Sequence, residues 1–261
     1  NGKPMTAHTT NPVPLIIVGA GDFTCGEGGI KKQAEDFCIA ADGGFLYCKL
    51  VGLLPDYFIG DMDSLPEAQG NDVFTREEDE AEGGESVGRR EAAAQEESAD
   101  TEAEHTEVVH RETVKKINAS LAAWLTAHPD AYTLLPVVKD DTDTMAAIRL
   151  GYARGYRLFH IYGGLGGRLS HTLANIQSLA WLKERGASGV LFNGTELVTL
   201  LADEELCFPA GTYGDFSVFS YGERAEGVTI AGAKYALADD ALIDAFPLGV
   251  SNAFTGRETL I

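Results

Sequence analysis

Asp61 and Asp63 stand two residues apart where the apolar run Tyr57-Phe58-Ile59 ends in Gly60. In extended chain, alternate side chains point the same way, so both carboxylates are expected on one side. Two anions that close repel unless a cation joins them. An all-oxygen donor set suits Mg²⁺, which keeps several waters and takes one or two carboxylates together with substrate phosphates. An isolated Asp-x-Asp also fits a capped turn, but a second acidic group follows in Lys139-Asp140-Asp141-Thr142-Asp143. One of these residues, Thr142 or Asp143, suits the cap of the next helix, and capping does not use the other acids. The remaining carboxylates suit a metal cluster shared with Asp61 and Asp63, and Lys139 beside them could offset phosphate charge or serve as a plain surface lysine.

A third element is Gly163-Gly164-Leu165-Gly166-Gly167-Arg168, followed by Leu169-Ser170-His171. It is neither a Walker loop nor a dinucleotide fingerprint. Bare N–H groups ahead of a helix N-terminus hold phosphate, and Arg168 adds a fork suited to an anion. Gly166, Gly167 and Arg168 are the expected anion contacts; the glycines also fit a plain tight turn, but Arg168 at the loop's end favours an anion. His171 fits either a general base or an ordinary first-turn residue.

These groups need a scaffold that brings strand ends together. Leu15-Ile16-Ile17-Val18, Phe37 to Ala41, Tyr57 to Ile59, Thr133 to Val138 and Arg157 to Tyr162 are short apolar runs, each closing on glycine or a charged residue. Helical patterns fill Phe45 to Val51, Glu112 to His128, Thr144 to Arg154 and His171 to Arg185. Strands alternating with helices predict an α/β domain over residues 12–186, a doubly wound, mostly parallel sheet with ligands at the carboxyl ends of its strands. After Gly186 the pattern changes to short β-like runs at Gly189 to Phe192, Glu196 to Leu201, Phe216 to Phe219 and Gly227 to Ile230. They predict a second, antiparallel unit over 187–261, a small β-sandwich.

The chain of 261 residues carries a formal net charge of −20, which argues against a nucleic-acid or anionic-membrane surface. Glu67 to Glu112 alone contains 16 acidic and 4 basic residues, leaving 24 against 16 elsewhere. The stretch 66–108, rich in Glu, Ala, Gly and Ser, cannot offset its ordering entropy and is expected to be an unstructured acidic insertion. Cys25, Cys38, Cys48 and Cys207 have no metal-ligand spacing. With no membrane-length apolar run and no basic-then-apolar leader, a cytoplasmic protein is expected.

The ordered set Ala41-Asp42-Gly43-Gly44, Gly60-Asp61-Met62-Asp63-Ser64, Lys139-Asp140-Asp141-Thr142-Asp143, Gly163 to Arg168 with His171-Thr172-Leu173-Ala174-Asn175, and Ser251-Asn252-Ala253-Phe254 resembles the thiamin pyrophosphokinase family. The resemblance covers nearly the whole chain outside the acidic insertion. It implies a homodimer that moves the β,γ-diphosphoryl unit of ATP to the hydroxyethyl oxygen of thiamine, releasing AMP, with Mg²⁺. It further implies that Asp61, Asp63 and Asp140 hold metal and phosphates, that Asp143 supports them, and that Asp42, Gly43 and Arg168 line the nucleotide side. Ser251 and Asn252 match its thiamine-contacting segment. Where the family commonly reads Gly-Gly-Arg-x-Asp-His, this chain has Ser170 in place of the carboxylate, and Ala253 stands where an acid is frequent. Ser170 cannot act as an unaided base at neutral pH, which leaves Asp140 or His171 to receive the proton. A non-catalytic thiamine or nucleotide sensor, and a metal-dependent phosphodiesterase, are the competing readings.

Overall fold

The computed structural model describes residues 13–21, 30, 32–61, 118–222 and 224–261. Asp63, Cys25 and the acidic stretch 66–108 lie outside the described residues. The first five predicted strands form as β1 (Leu15–Val18), β2 (Phe37–Ala41), β3 (Tyr57–Gly60), β4 (Tyr132–Leu134) and β5 (Leu158–Tyr162), although β4 ends at Leu134, before Pro136, and not at Val138 as expected. With β6 (Ser188–Phe192) and β7 (Leu197–Thr199) they make one seven-stranded sheet in the order β4-β3-β2-β1-β5-β6-β7. Every pairing is parallel except that of β6 with β7. The chain steps outward from β1 to β4, then returns to the other side of β1 as β5. Between β1 and β5 the order reverses, and in such sheets the crevice outside the carboxyl ends receives ligands.

The helices among the described residues are α1 (Gly44–Leu50), α2 (residues 118–127), α3 (Asp143–Ala153) and α4 (Leu169–Lys183). Strand side chains alternate between two cores, as a period of two requires. Leu15, Ile17, Ile39, Ile59, Phe159 and Ile161 face Ala147 and Ile148 of α3 and Leu179 and Leu182 of α4. Ile16, Val18, Cys38, Ala40 and Phe58 face Phe45 and Cys48 of α1 and Leu121 of α2. Burial on both faces is why these strands read as continuous apolar runs instead of alternating ones. Each fully buried Leu, Ile or Phe contributes roughly 1.5–3 kcal/mol, so both layers of helices are firmly held.

The division between the two compact units falls between Leu200 and Leu201. The runs at 189–192 and 196–201, expected in the second unit, instead extend the first sheet as β6 and β7. Strand β6 is taken up by parallel pairing with β5 from Leu158↔Ser188 to Tyr162↔Phe192. Short β-like runs look alike in sequence whichever sheet they join, because the partner that completes their hydrogen bonds is distant in the chain.

The second unit, Leu201–Ile261, is antiparallel throughout its named pairs. Strands β10 (Ala225–Ile230) and β11 (Leu237–Leu242) pair with each other, β9 (Asp215–Phe216) pairs with β12 (Asn252–Ala253), and β8 (Cys207–Phe208) pairs with β13 (Thr259–Leu260). Phe254 packs its ring against Phe208 and Phe216, with centroids 4.8 and 4.7 Å away.

Candidate active site

The carboxyl ends of β2 and β3 and the start of α3 bring three carboxylates together. One oxygen from each of Asp42, Asp61 and Asp143 lies within 4.8 Å of the others, the one group of this kind among the described residues. Asp42 follows β2 in the left-handed region (φ 47°) and is 3% exposed. Its N–H donates to the Ile59 carbonyl oxygen at 2.8 Å. A non-glycine residue in this conformation costs of order 1–3 kcal/mol and persists only where its surroundings enforce it. Here part of the enforcement is Gly60, whose missing side chain leaves room: a Cβ there would stand 2.9 Å from the Asp42 Cα. Asp61 leaves β3 with its side chain only 2% exposed.

The segment after β4 distributes five adjacent polar residues among different tasks. The Leu135 N–H donates to the Gly60 carbonyl oxygen at 2.9 Å, carrying the chain alongside β3 toward Lys139. The Lys139 ammonium donates to Asp61 Oδ2 and lies 3.2 Å from Asp143 Oδ1, its side chain 14% exposed. Asp141 pairs with Arg149 at 2.7 Å on the surface. Thr142 caps α3, its hydroxyl accepting from the Met145 N–H at 3.1 Å. Asp143 begins the helix and points its carboxylate at the cluster, where the N-terminal helix dipole favours negative charge. Asp140 is exposed and is not a member of the three-carboxylate group.

The electrostatics follow from this crowding. Burial pushes the Asp143 carboxyl above its usual range; Lys139 pulls it down, and Asp42 and Asp61 push it up again. Burial alone would lower the Lys139 ammonium, but its hydrogen bonds to Asp61 and Asp143 outweigh that and raise it. A carboxyl raised in the folded state gives stability that is complete below its unfolded value and is lost as pH rises through the folded one. Asp143→Asn is therefore expected to melt at a higher temperature than the parent protein at neutral pH in the presence of a chelator. The gap should close as pH falls toward the ordinary carboxylate value of 3.8. Scanning calorimetry from pH 4 to 7 checks this, and a lower melting temperature for the variant at pH 7 contradicts it.

The glycine loop after β5 meets the same region through backbone packing. The Gly19 N–H donates to the Tyr162 carbonyl oxygen at 2.8 Å and the Gly21 N–H to that of Gly163 at 2.9 Å. A Cβ on Gly21 would lie 2.4 Å from the Gly163 oxygen, and one on Gly19 would lie 3.4 Å from the hydroxyl of Thr144, the neighbour of Asp143. Gly19, Gly21 and Gly163 thus let the ends of β1 and β5 touch. Asn175, buried in α4, donates to the Gly164 carbonyl oxygen at 2.8 Å, and Thr172 donates to that of Gly166 at 3.2 Å. These bonds fix the inner half of the loop. Gly166, Gly167, Arg168, Ser170 and His171 are exposed. Helix α4 starts at Leu169, two residues earlier than the sequence pattern suggests, so Ser170 and His171 belong to its first turn. Its cap residue, Arg168, provides no side-chain acceptor, which leaves the helix N-terminus suited to an anion.

In the second unit, Ser251 adopts φ 61°, and its N–H donates to the Ser217 hydroxyl at 3.1 Å. Asn252 is 3% exposed. Its carboxamide oxygen accepts from the Tyr235 N–H at 2.9 Å and its amide donates to the Tyr235 carbonyl oxygen at 2.6 Å. The Asn252 side chain thus holds the turn at Tyr235, a structural task that its sequence position does not reveal.

Fold and site together define a doubly wound α/β protein with an acidic, lysine-bridged cluster at the carboxyl ends of parallel strands. The fold is that of solved thiamin pyrophosphokinases. Similarity to the Bacillus subtilis thiamine pyrophosphokinase has a TM-score of 0.59 at 18% identity, over 95% of this chain and 92% of that one. The thiamin pyrophosphokinase family protein of Enterococcus faecalis gives 0.57 at 18% identity over 95% and 92%, and the yeast thiamin pyrophosphokinase gives 0.51 at 14% over 96% and 82%. No family model matches the chain. Among curated proteins, a 2,3-bisphosphoglycerate-independent phosphoglycerate mutase of Acetivibrio thermocellus is 58% identical over 33 residues, 13% of this chain and 6% of that protein. So short a segment carries no fold or site. Among the described residues no helix is long and apolar enough to cross a membrane.

Proposed function

We propose that the protein is a thiamine diphosphokinase, transferring the β,γ-diphosphoryl group of ATP to thiamine with Mg²⁺ and releasing AMP. The observation that carries this reading is the meeting of Asp42, Asp61 and Asp143 around Lys139 in a fold shared with thiamin pyrophosphokinases. The donor set fits the metal: three carboxylates offer hard oxygen ligands with no nitrogen or sulfur among them, as Mg²⁺ prefers. Asp42, Asp61 and Asp143 would hold the ion, with Asp63 and Asp140 as further acids of the same two segments. When bound, Mg²⁺ neutralises phosphate charge and orients the transferred group.

The chain's own residues supply the rest. Diphosphoryl transfer depends mainly on aligning the attacking and leaving oxygens and neutralising charge. Gly43, Gly166, Gly167 and Arg168 bind the nucleotide phosphates through backbone N–H groups and a guanidinium. Lys139 adds a second positive charge. Ser251 and Asn252 belong to the thiamine-binding segment, and Asn252 also shapes it by holding Tyr235. Ser170 donates a hydrogen bond near the phosphates, and Asp140 or His171 receives the hydroxyl proton of thiamine. The enzyme works as a homodimer in the cytoplasm.

Incubation with ATP, Mg²⁺ and thiamine, followed by chromatography resolving AMP from ADP, tests the proposal. Equal amounts of AMP and thiamine diphosphate are expected. ADP would mark an ordinary kinase. Absence of AMP from the parent protein, with AMP formed by Ser170→Asp, would mean that this chain is a binding protein and not an enzyme.

A further inference from the structure

We propose that Lys139 is a built-in counter-ion that holds the carboxylate cluster together before metal arrives and must leave it for metal to bind. The inference rests on the reading of the cluster as a divalent-cation site. Its basis is the position of one ammonium, which donates to Asp61 and lies 3.2 Å from Asp143, two of the three carboxylates that converge there. The Asp61 side chain is 2% exposed and that of Lys139 14% exposed. Water therefore screens this group poorly, and the Lys139 ammonium sets a positive charge directly against two of its carboxylates. Three acids gathered where Asp42 is buried and the Asp61 side chain nearly so would be costly to hold without counter-charge.

The same placement sets up an exchange. A divalent ion and an ammonium cannot both take the Asp61 and Asp143 oxygens, because each repels the other and the oxygens are shared. Lysine has the properties this needs, a compact charge on a long flexible stem. On leaving the carboxylates, the ammonium remains tethered one residue before Asp140 and within reach of the anion that accompanies the metal. Metal loading and phosphate capture become one coupled event, and free metal binds less well than metal arriving with a polyphosphate.

Two measurements test this without turnover. In calorimetry with Mn²⁺ alone, Lys139→Met is expected to bind about tenfold more tightly than the parent protein, a difference of about 1.4 kcal/mol. Lys139→Arg, which keeps the charge, should not gain affinity. Equal or weaker Mn²⁺ binding by Lys139→Met overturns the proposal. The second measurement uses the unmodified chain and so does not depend on the variants folding. Amine acylation read by mass spectrometry should label Lys139 slowly in chelator and several-fold faster when Mn²⁺ is added; unchanged or slower labelling also overturns it. If the metal responses appear but AMP is never formed, the counter-ion role stands and the diphosphokinase reading falls.

Discussion

Asp61→Asn is expected to lower the rate of AMP formation from ATP and thiamine by about 10³-fold at saturating Mg²⁺. Loss of one charged ligand costs roughly 4 kcal/mol of transition-state charge stabilisation, each 1.36 kcal/mol being about tenfold in rate. Asp61 is the member to choose because its side chain is the more deeply buried of the two that share Lys139, 2% exposed against 21% for Asp143. Asparagine keeps the size and one acceptor oxygen, so the fold should survive. Circular dichroism should be unchanged while Mn²⁺ affinity drops with the rate. A variant that retains more than about a tenth of the parent rate would remove Asp61 from the reaction.

Gly44→Ala is expected to cost more than about 3 kcal/mol of stability, a large part of the roughly 5–15 kcal/mol that holds a folded domain together. Gly44 is the first residue of α1 and lies directly on the end of β1. A Cβ there would stand 1.8 Å from the Val18 carbonyl oxygen and 2.5 Å from the Val18 carbonyl carbon. Those are backbone atoms in a central strand, so neither neighbour can turn aside as a side chain would. Gly52→Ala is the control. Gly52 has φ +69° with nothing within 4 Å of its added Cβ, so alanine there should cost only about 1–2 kcal/mol of backbone strain. Urea unfolding of both variants separates the two effects. If Gly44→Ala proves no worse than Gly52→Ala, close packing is not what selects glycine at 44. The seating of α1 also bears on the cluster, because only Gly43 separates Asp42 from the helix.

The sheet was legible because both its faces are buried. The runs at Leu15–Val18 and Phe37–Ala41 are apolar at every position, as strands covered by helices on both sides must be. The carboxylate cluster was only half legible. Asp61 and Asp143 stood out as acids at strand ends. Asp42 entered through the family resemblance as a nucleotide-side residue, since one Asp before two glycines looks like any turn; its place beside Asp61 depends on β2 and β3 pairing through Ala41↔Ile59. Asp140 and Asp141 were indistinguishable from Asp143 by type, yet Asp140 is exposed and Asp141 faces Arg149. Asp140 and Asp141 lie in the bend before α3 whereas Asp143 is its first residue, so the backbone path into the helix decides which acid reaches the cluster.

By itself, then, the sequence determined the alternation of strands and helices in the first unit, the acidic chemistry at strand ends and the glycine loop, all of which are local in the chain. Tertiary structure decided which acids meet, that Lys139 bridges two of them, that β6 and β7 complete the first sheet, and that Asn252 serves Tyr235. Each of these depends on groups far apart in sequence. Their energies come from distance and burial, which a string of residues does not contain until the sheet sets its neighbours.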